Sequence, residues 1–142
     1  MKTSSFLIAT LALFLSLSSC TKDEDTPESF DPPGMWIGTY TLDQLPAAGA
    51  MYYSFIIKPD GNLLTEGVGA NGSTYYSKGT WVLVGDSLKC NYTTINFPGP
   101  QVSQSAKFHF NSTSRTLSSG TWKDGANGSN YTGTFPAMAR IN

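Results

Sequence analysis

Cysteine, histidine and charge are all scarce in this chain, and each scarcity excludes something. Two cysteines in 142 residues, Cys20 and Cys90, allow at most one disulfide, so this is no disulfide-stapled scaffold. His109 is the single histidine, and no cluster of cysteines or carboxylates stands beside it at metal-ligand spacing, so no metal site is expected. The alternation that turns Phe108 and Phe110 one way turns His109 outward with Lys107 and Ser105. Charged residues make up 13% of the chain and form no basic stripe, which excludes a nucleic-acid surface. Beyond residue 20 no segment carries a 3.6-residue apolar period, so helices are not expected to build the fold.

Catalytic signatures are missing too. There is no Gly-x-Ser-x-Gly elbow and no Cys-His-Asn signature, and Gly125-Ala126-Asn127-Gly128 lacks the Gly-Lys-Ser/Thr of a phosphate loop. Of the carboxylates Asp43, Asp60, Glu66, Asp86 and Asp124, only Glu66 falls within an expected strand, whereas glycoside hydrolysis needs two facing acids. Cys90, between Leu88 and Tyr92 on one strand face, reads as a small buried hydrophobe. No enzyme and no cofactor are expected.

What the chain has in quantity is glycine, proline and aromatic side chains. Tyr75 to Tyr92 reads as a hairpin, two strands with Trp81 in the first and Gly85-Asp86 as the turn. Around it, alternation predicts strands over Met35–Leu42, Met51–Lys58, Leu63–Val68, Val102–Phe110, Arg115–Trp122 and Tyr131–Ala139, the last with a break, bulge or edge at Pro136. Pro59-Asp60-Gly61-Asn62 and Pro98-Gly99 read as turns, and Gln44 to Gly49 as a loop. Eight short strands with short links argue for an all-β antiparallel meander. Closing it into an eight-stranded up-and-down β-barrel would remove its edges; a two-sheet β-sandwich is the alternative.

The first residues read as a processing segment. Lys2 is followed by an apolar run, Phe6 to Leu17, shorter than the ~20 residues a membrane span needs. Leu17-Ser18-Ser19-Cys20 resembles the lipobox of bacterial lipoproteins, which implies a signal peptide at 1–19 and a Cys20 that is lipidated and held in the membrane by several acyl chains. Thr21-Lys22-Asp23-Glu24-Asp25 resembles the export signal of surface lipoproteins of Bacteroidetes. The same residues also fit a flexible acidic tether over 20–33. The implied location is the outer membrane, lipid-anchored and facing the cell surface, with the periplasmic face the alternative. With Cys20 lipidated, Cys90 is the only remaining thiol, and stability must come from the core.

Gly34-Met35-Trp36 on the first strand resembles the Gly-x-Trp signature that opens lipocalins, where the tryptophan plugs one end of the barrel. Residues 34–142 are similar to the short lipocalin-like domains of Bacteroidetes lipoproteins, and Gly79-Thr80-Trp81, Gly120-Thr121-Trp122 and Tyr131-Thr-Gly-Thr-Phe135 share the rhythm of avidin-type barrels. The resemblance implies a module that binds a small apolar or amphipathic ligand. Trp36, Tyr40, Tyr53, Phe55, Trp81, Tyr92, Phe108 and Trp122 are the candidate lining residues, although the same rings could simply fill a solid core. Tyr52/Tyr53 and Tyr75/Tyr76 place aromatics on both faces of a strand, so one of each pair must lie outside. The alternative function is therefore an interaction module whose outer tyrosines contact glycan or an envelope protein. Asp86-Ser87-Leu88 resembles the short O-glycosylation motif of Bacteroidetes exported proteins, at a turn where Ser87 would be accessible.

Overall fold

The computed structural model describes residues 31–96, 101–125 and 128–141. The signal peptide, Cys20, the tether as far as residue 30 and the Pro98-Gly99 turn lie outside the described residues. Eight strands follow one another: β1 (Gly34–Tyr40), β2 (Met51–Ile57), β3 (Asn62–Val68), β4 (Thr74–Val84), β5 (Ser87–Thr94), β6 (Ser103–Asn111), β7 (Thr116–Asp124) and β8 (Thr132–Ile141). Each pairs antiparallel with the next, and β8 returns to β1 with Gly38 opposite Met138, closing one barrel. A single closed sheet replaces the sandwich alternative and leaves no strand edge to protect. Between β1 and β2 the predicted loop holds one turn of 3-10 helix, Pro46–Ala48.

The turns form where their chemistry requires. Gly61 takes a φ of 82° and Gly85 a φ of 61°, conformations that a side chain would strain. Asp60 accepts a hydrogen bond from the Asn62 backbone N–H at 2.9 Å, and the Asn62 hydrogen bonds hold its carboxyl below the usual range. Between turns, alternation decides what is buried. On β2, Tyr53, Phe55 and Ile57 go inward and Tyr52 and Ile56 outward; on β6, Ala106, Phe108 and Phe110 go inward.

Interior glycines make room for rings. A methyl group at Gly120 would stand 2.6 Å from the Phe108 ring and 2.7 Å from Cβ of Phe135. One at Gly67 would stand 2.7 Å from the ring of Tyr53. Glycine in a strand costs order but here seats an aromatic flat against the backbone. The irregularity foreseen at Pro136 is local. Strand β8 runs through it, but the β7 pairing steps from Ser118–Ala137 to Gly120–Phe135, leaving Ser119 and Pro136 unpaired with each other. The β1 ladder stops at Met138. A residue without an N–H thus sits where neither ladder asks for one, and Ser119, with a φ of 51°, lies in a bulge on the other side of β7, where the β6 pairing shifts register between Lys107 and His109.

The two ends of the barrel differ. At one end the β2–β3, β4–β5 and β6–β7 turns meet the incoming chain at Pro32. The interior there is solid with Trp36, Ile57, Leu63, Leu88, Leu117 and Met138, each at most 2% exposed. Such side chains are worth about 1.5–3 kcal/mol apiece when fully buried. Trp36 closes this end: its indole N–H donates to the Pro32 carbonyl at 2.7 Å, and its ring meets Phe110 edge-on at 6.3 Å. Phe55, Phe108 and Phe135 form the middle layer, with ring centroids 5.0 to 5.6 Å apart.

Candidate functional site

Above that aromatic layer the barrel is hollow. A cavity of about 470 Å³ opens at the other end, with Leu42, Leu45, Ala70, Val102 and Ser129 among the residues between strands that line it. Its size is within the range of ordinary small-molecule sites. Strand alternation builds its wall: Tyr40, Tyr53, Tyr75, Tyr92 and Trp122 point inward from β1, β2, β4, β5 and β7, and Phe135 of β8 belongs to both wall and floor. Tyr40 is the hub of this cluster, edge-on to Tyr53 at 5.4 Å and to Trp122 at 5.8 Å. Tyr53 packs on Phe135 at 5.1 Å.

Polar groups are few and held in place. The Tyr40 hydroxyl donates to the Val68 carbonyl at 3.1 Å, and the Trp122 indole N–H donates to the Thr41 carbonyl at 3.1 Å. The Tyr53 hydroxyl donates to Oγ1 of Thr65 at 3.1 Å. Gln104 donates through Nε2 to Oδ1 of Asp124 at 2.9 Å, while Oδ2 accepts the Ser129 and Tyr131 backbone N–H groups at 3.1 and 3.3 Å. Asp124 therefore organises the β7–β8 connection as well as one side of the mouth. Burial pushes the Tyr53 hydroxyl up to about 12 and Tyr92 well above its ordinary value, so both remain neutral phenols at physiological pH. Tyr40 is raised as well, chiefly by burial.

The β1–β2 connection reaches over the mouth and is latched to the start of β8. Thr41 and Asp43 donate backbone N–H groups to the carbonyls of Thr134 and Thr132, both at 2.9 Å. Gln44 donates to Oγ1 of Thr132 at 3.1 Å and accepts its backbone N–H at 3.0 Å, and the Thr132 hydroxyl donates to Asp43 at 2.7 Å. Leu42, Gln44 and Leu45 thereby join the cavity rim.

Of the eight residues singled out from sequence, Tyr40, Tyr53, Tyr92 and Trp122 line the cavity. The other four lie outside it. Trp36 plugs the opposite end, Phe55 and Phe108 are buried in the middle layer, and Trp81 is half-buried with its indole N–H donating to the Lys58 carbonyl at 2.8 Å near the β2–β3 turn. Tyr75, Phe135, Gln104 and Asp124 complete the site. Phe135 and Gln104 carry the inward alternation of their strands. Tyr75 is the inner member of a tyrosine pair whose outer member, Tyr76, is exposed.

The remaining candidates for chemistry are dispersed. Cys90 is buried and its thiol is pushed up to about 12 by desolvation, the opposite of an activated nucleophile. His109 is outside the barrel, 3.1 Å from the Asp86 carboxylate across an exposed turn. Glu66 is on the outer wall of β3, opposite Ser54 and Tyr76. Ser87 opens β5 beside the turn, opposite His109 of β6, but its hydroxyl oxygen is buried without a hydrogen-bond partner and not accessible. No group of three potential metal ligands occurs among the described residues. In comparisons with known proteins, no family model, curated protein or solved structure matches the chain.

Proposed function

We propose that the protein is a non-catalytic binding module. Its barrel holds a small apolar or amphipathic molecule in the mouth cavity and is tethered to the outer membrane through a lipidated Cys20, facing the cell surface. The observation that carries the binding half is the asymmetry of the interior. One end is packed solid around Trp36, and the other encloses about 470 Å³ walled by aromatic rings. A barrel needing only stability would fill both ends, since unfilled apolar volume is costly. The anchoring half rests on the lipobox-like Leu17-Ser18-Ser19-Cys20. Native mass spectrometry of the mature protein purified from its own host tests both. The expected result is an acylated Cys20 together with a retained small molecule. An unmodified N-terminal segment overturns the anchor, and an apo mass that stays unchanged when host lipid and metabolite extract is added back overturns the carrier.

A second reading has its own observation. On the outer wall Ile141, Met35, Ile56 and Leu64 are direct cross-strand neighbours on β8, β1, β2 and β3, all exposed, with Tyr52 and Tyr76 nearby. An apolar row across four strands would suit contact with glycan or an envelope protein. Ile56→Lys and Tyr76→Ser would abolish such contact while leaving the cavity intact, and retention of binding by both variants would remove this reading.

A further inference from the structure

The cavity has an electrostatic bias that narrows its ligand. Among the described residues Asp124 is its only formally charged lining side chain, and no Lys, Arg or His lines it. Residues 97–100 and 126–127, outside the described residues, include no Lys, Arg or His. The nearest lysines by sequence, Lys78 and Lys123, alternate outward and line an adjoining groove, which meets the cavity at Tyr92, Gln104 and Asp124.

Several donors of the wall are spent on protein acceptors. Tyr40 gives its hydrogen to Val68, Trp122 to Thr41, Gln44 to Thr132 and Gln104 to Asp124. What faces the cavity is largely ring surface, with one carboxylate beside a few hydroxyl and amide groups. An anion would meet the Asp124 carboxylate at a site where it had also lost its water. A cation meets the negative faces of tyrosine and tryptophan, the arrangement that recognises quaternary ammonium groups.

We propose that the mouth cavity takes a small organic cation, an ammonium group carried on an apolar body, and discriminates against carboxylates such as free fatty acids. The ammonium lies among the rings of Tyr40, Tyr75, Tyr92 and Trp122 on the side of Asp124, and the apolar body rests on Phe135. The inference rests on the cavity being a binding site, as proposed above.

The test uses three probes on one phenylpropyl body, ending in trimethylammonium, its neutral tert-butyl isostere, or carboxylate, titrated calorimetrically into the full-length protein. The ammonium is expected to bind at least tenfold more tightly than the carboxylate and severalfold more tightly than the isostere. Gln104→Lys places a cation against Asp124 while leaving the Ser129 and Tyr131 N–H groups their acceptor, and should erase most of that preference in a protein with an unchanged strand spectrum. Asp124→Asn should act in the same direction. Equal binding of all three probes, or tighter binding of the carboxylate, overturns the charge preference and leaves the cavity reading standing. A preference that survives both variants overturns the role of Asp124 and the rings' arrangement around it. Binding of none of the three overturns the cavity reading itself.

Discussion

Each tryptophan in this barrel spends its indole N–H on a backbone carbonyl, and where that carbonyl lies decides what the residue does. Trp36 and Trp81 bind the chain at Pro32 and Lys58 at the solid end, whereas Trp122 binds it at Thr41, the start of the mouth connection. Trp36→Phe leaves the Pro32 carbonyl without its donor and opens a gap beneath Phe110. It should cost about 1–3 kcal/mol in urea unfolding with no loss of ligand affinity. Trp122→Phe should instead weaken binding. Gly120→Ala tests the seating of rings at the same scale. A methyl 2.6 Å from Phe108 forces the middle layer apart, and a destabilisation of about 1–3 kcal/mol is expected. An unchanged urea midpoint would show that the rings can move aside.

At the level of elements, the strands and the mouth connection behave differently. The strands are paired all the way around the barrel, while the connection from Thr41 to Ala50 is held at its start by the Thr132 and Thr134 contacts described above. Thr132→Val removes the shared hydroxyl at the centre of that latch. Hydrogen exchange at the Thr41 and Asp43 amides should accelerate severalfold, with global stability changed by less than about 1 kcal/mol, as for an exposed network. Exchange unchanged at both amides would mean that the backbone bonds alone hold the connection. The strands themselves were legible in the sequence, because a period of two reports which side chains go inward: Tyr53, Phe55 and Ile57 on β2, and Phe108 and Phe110 on β6. The site was half legible for the same reason. Alternation says inside or outside but not how high along the barrel axis, and height follows from strand tilt and stagger, which no local pattern encodes. Hence Tyr40 and Trp36, four residues apart on one face of β1, proved to belong to opposite ends. Tyr75 and Asp124 became site residues only once eight strands had been set in register.

For the molecule as a whole, the absence of a disulfide among the described residues and the single buried thiol leave stability to the packed end and the aromatic layer. That dependence has a pH signature. Cys90 is raised from 9.0 to about 12 and Tyr53 from 10.0 to about 12, both by burial, with Tyr92 raised in the same direction. The native state therefore holds protons that the unfolded chain releases. The contribution of these groups to stability should be constant below pH 9 and decline between 9 and 12. In Cys90→Ala the decline should begin nearer 10, where the tyrosines of the unfolded chain ionise. A midpoint that stays constant to pH 12 would contradict the burial of these groups.

The barrel is solid at the Trp36 end and, as proposed, receptive at the Trp122 end. Three indole N–H groups placed along its length make this directly measurable. In a two-dimensional ¹⁵N–¹H spectrum of the labelled protein titrated with the phenylpropyl trimethylammonium probe, the Trp122 indole peak should move progressively and saturate. The peaks of Trp36 and Trp81 should stay where they are. Movement of Trp36 or Trp81 with Trp122 unmoved would place binding elsewhere and contradict the account.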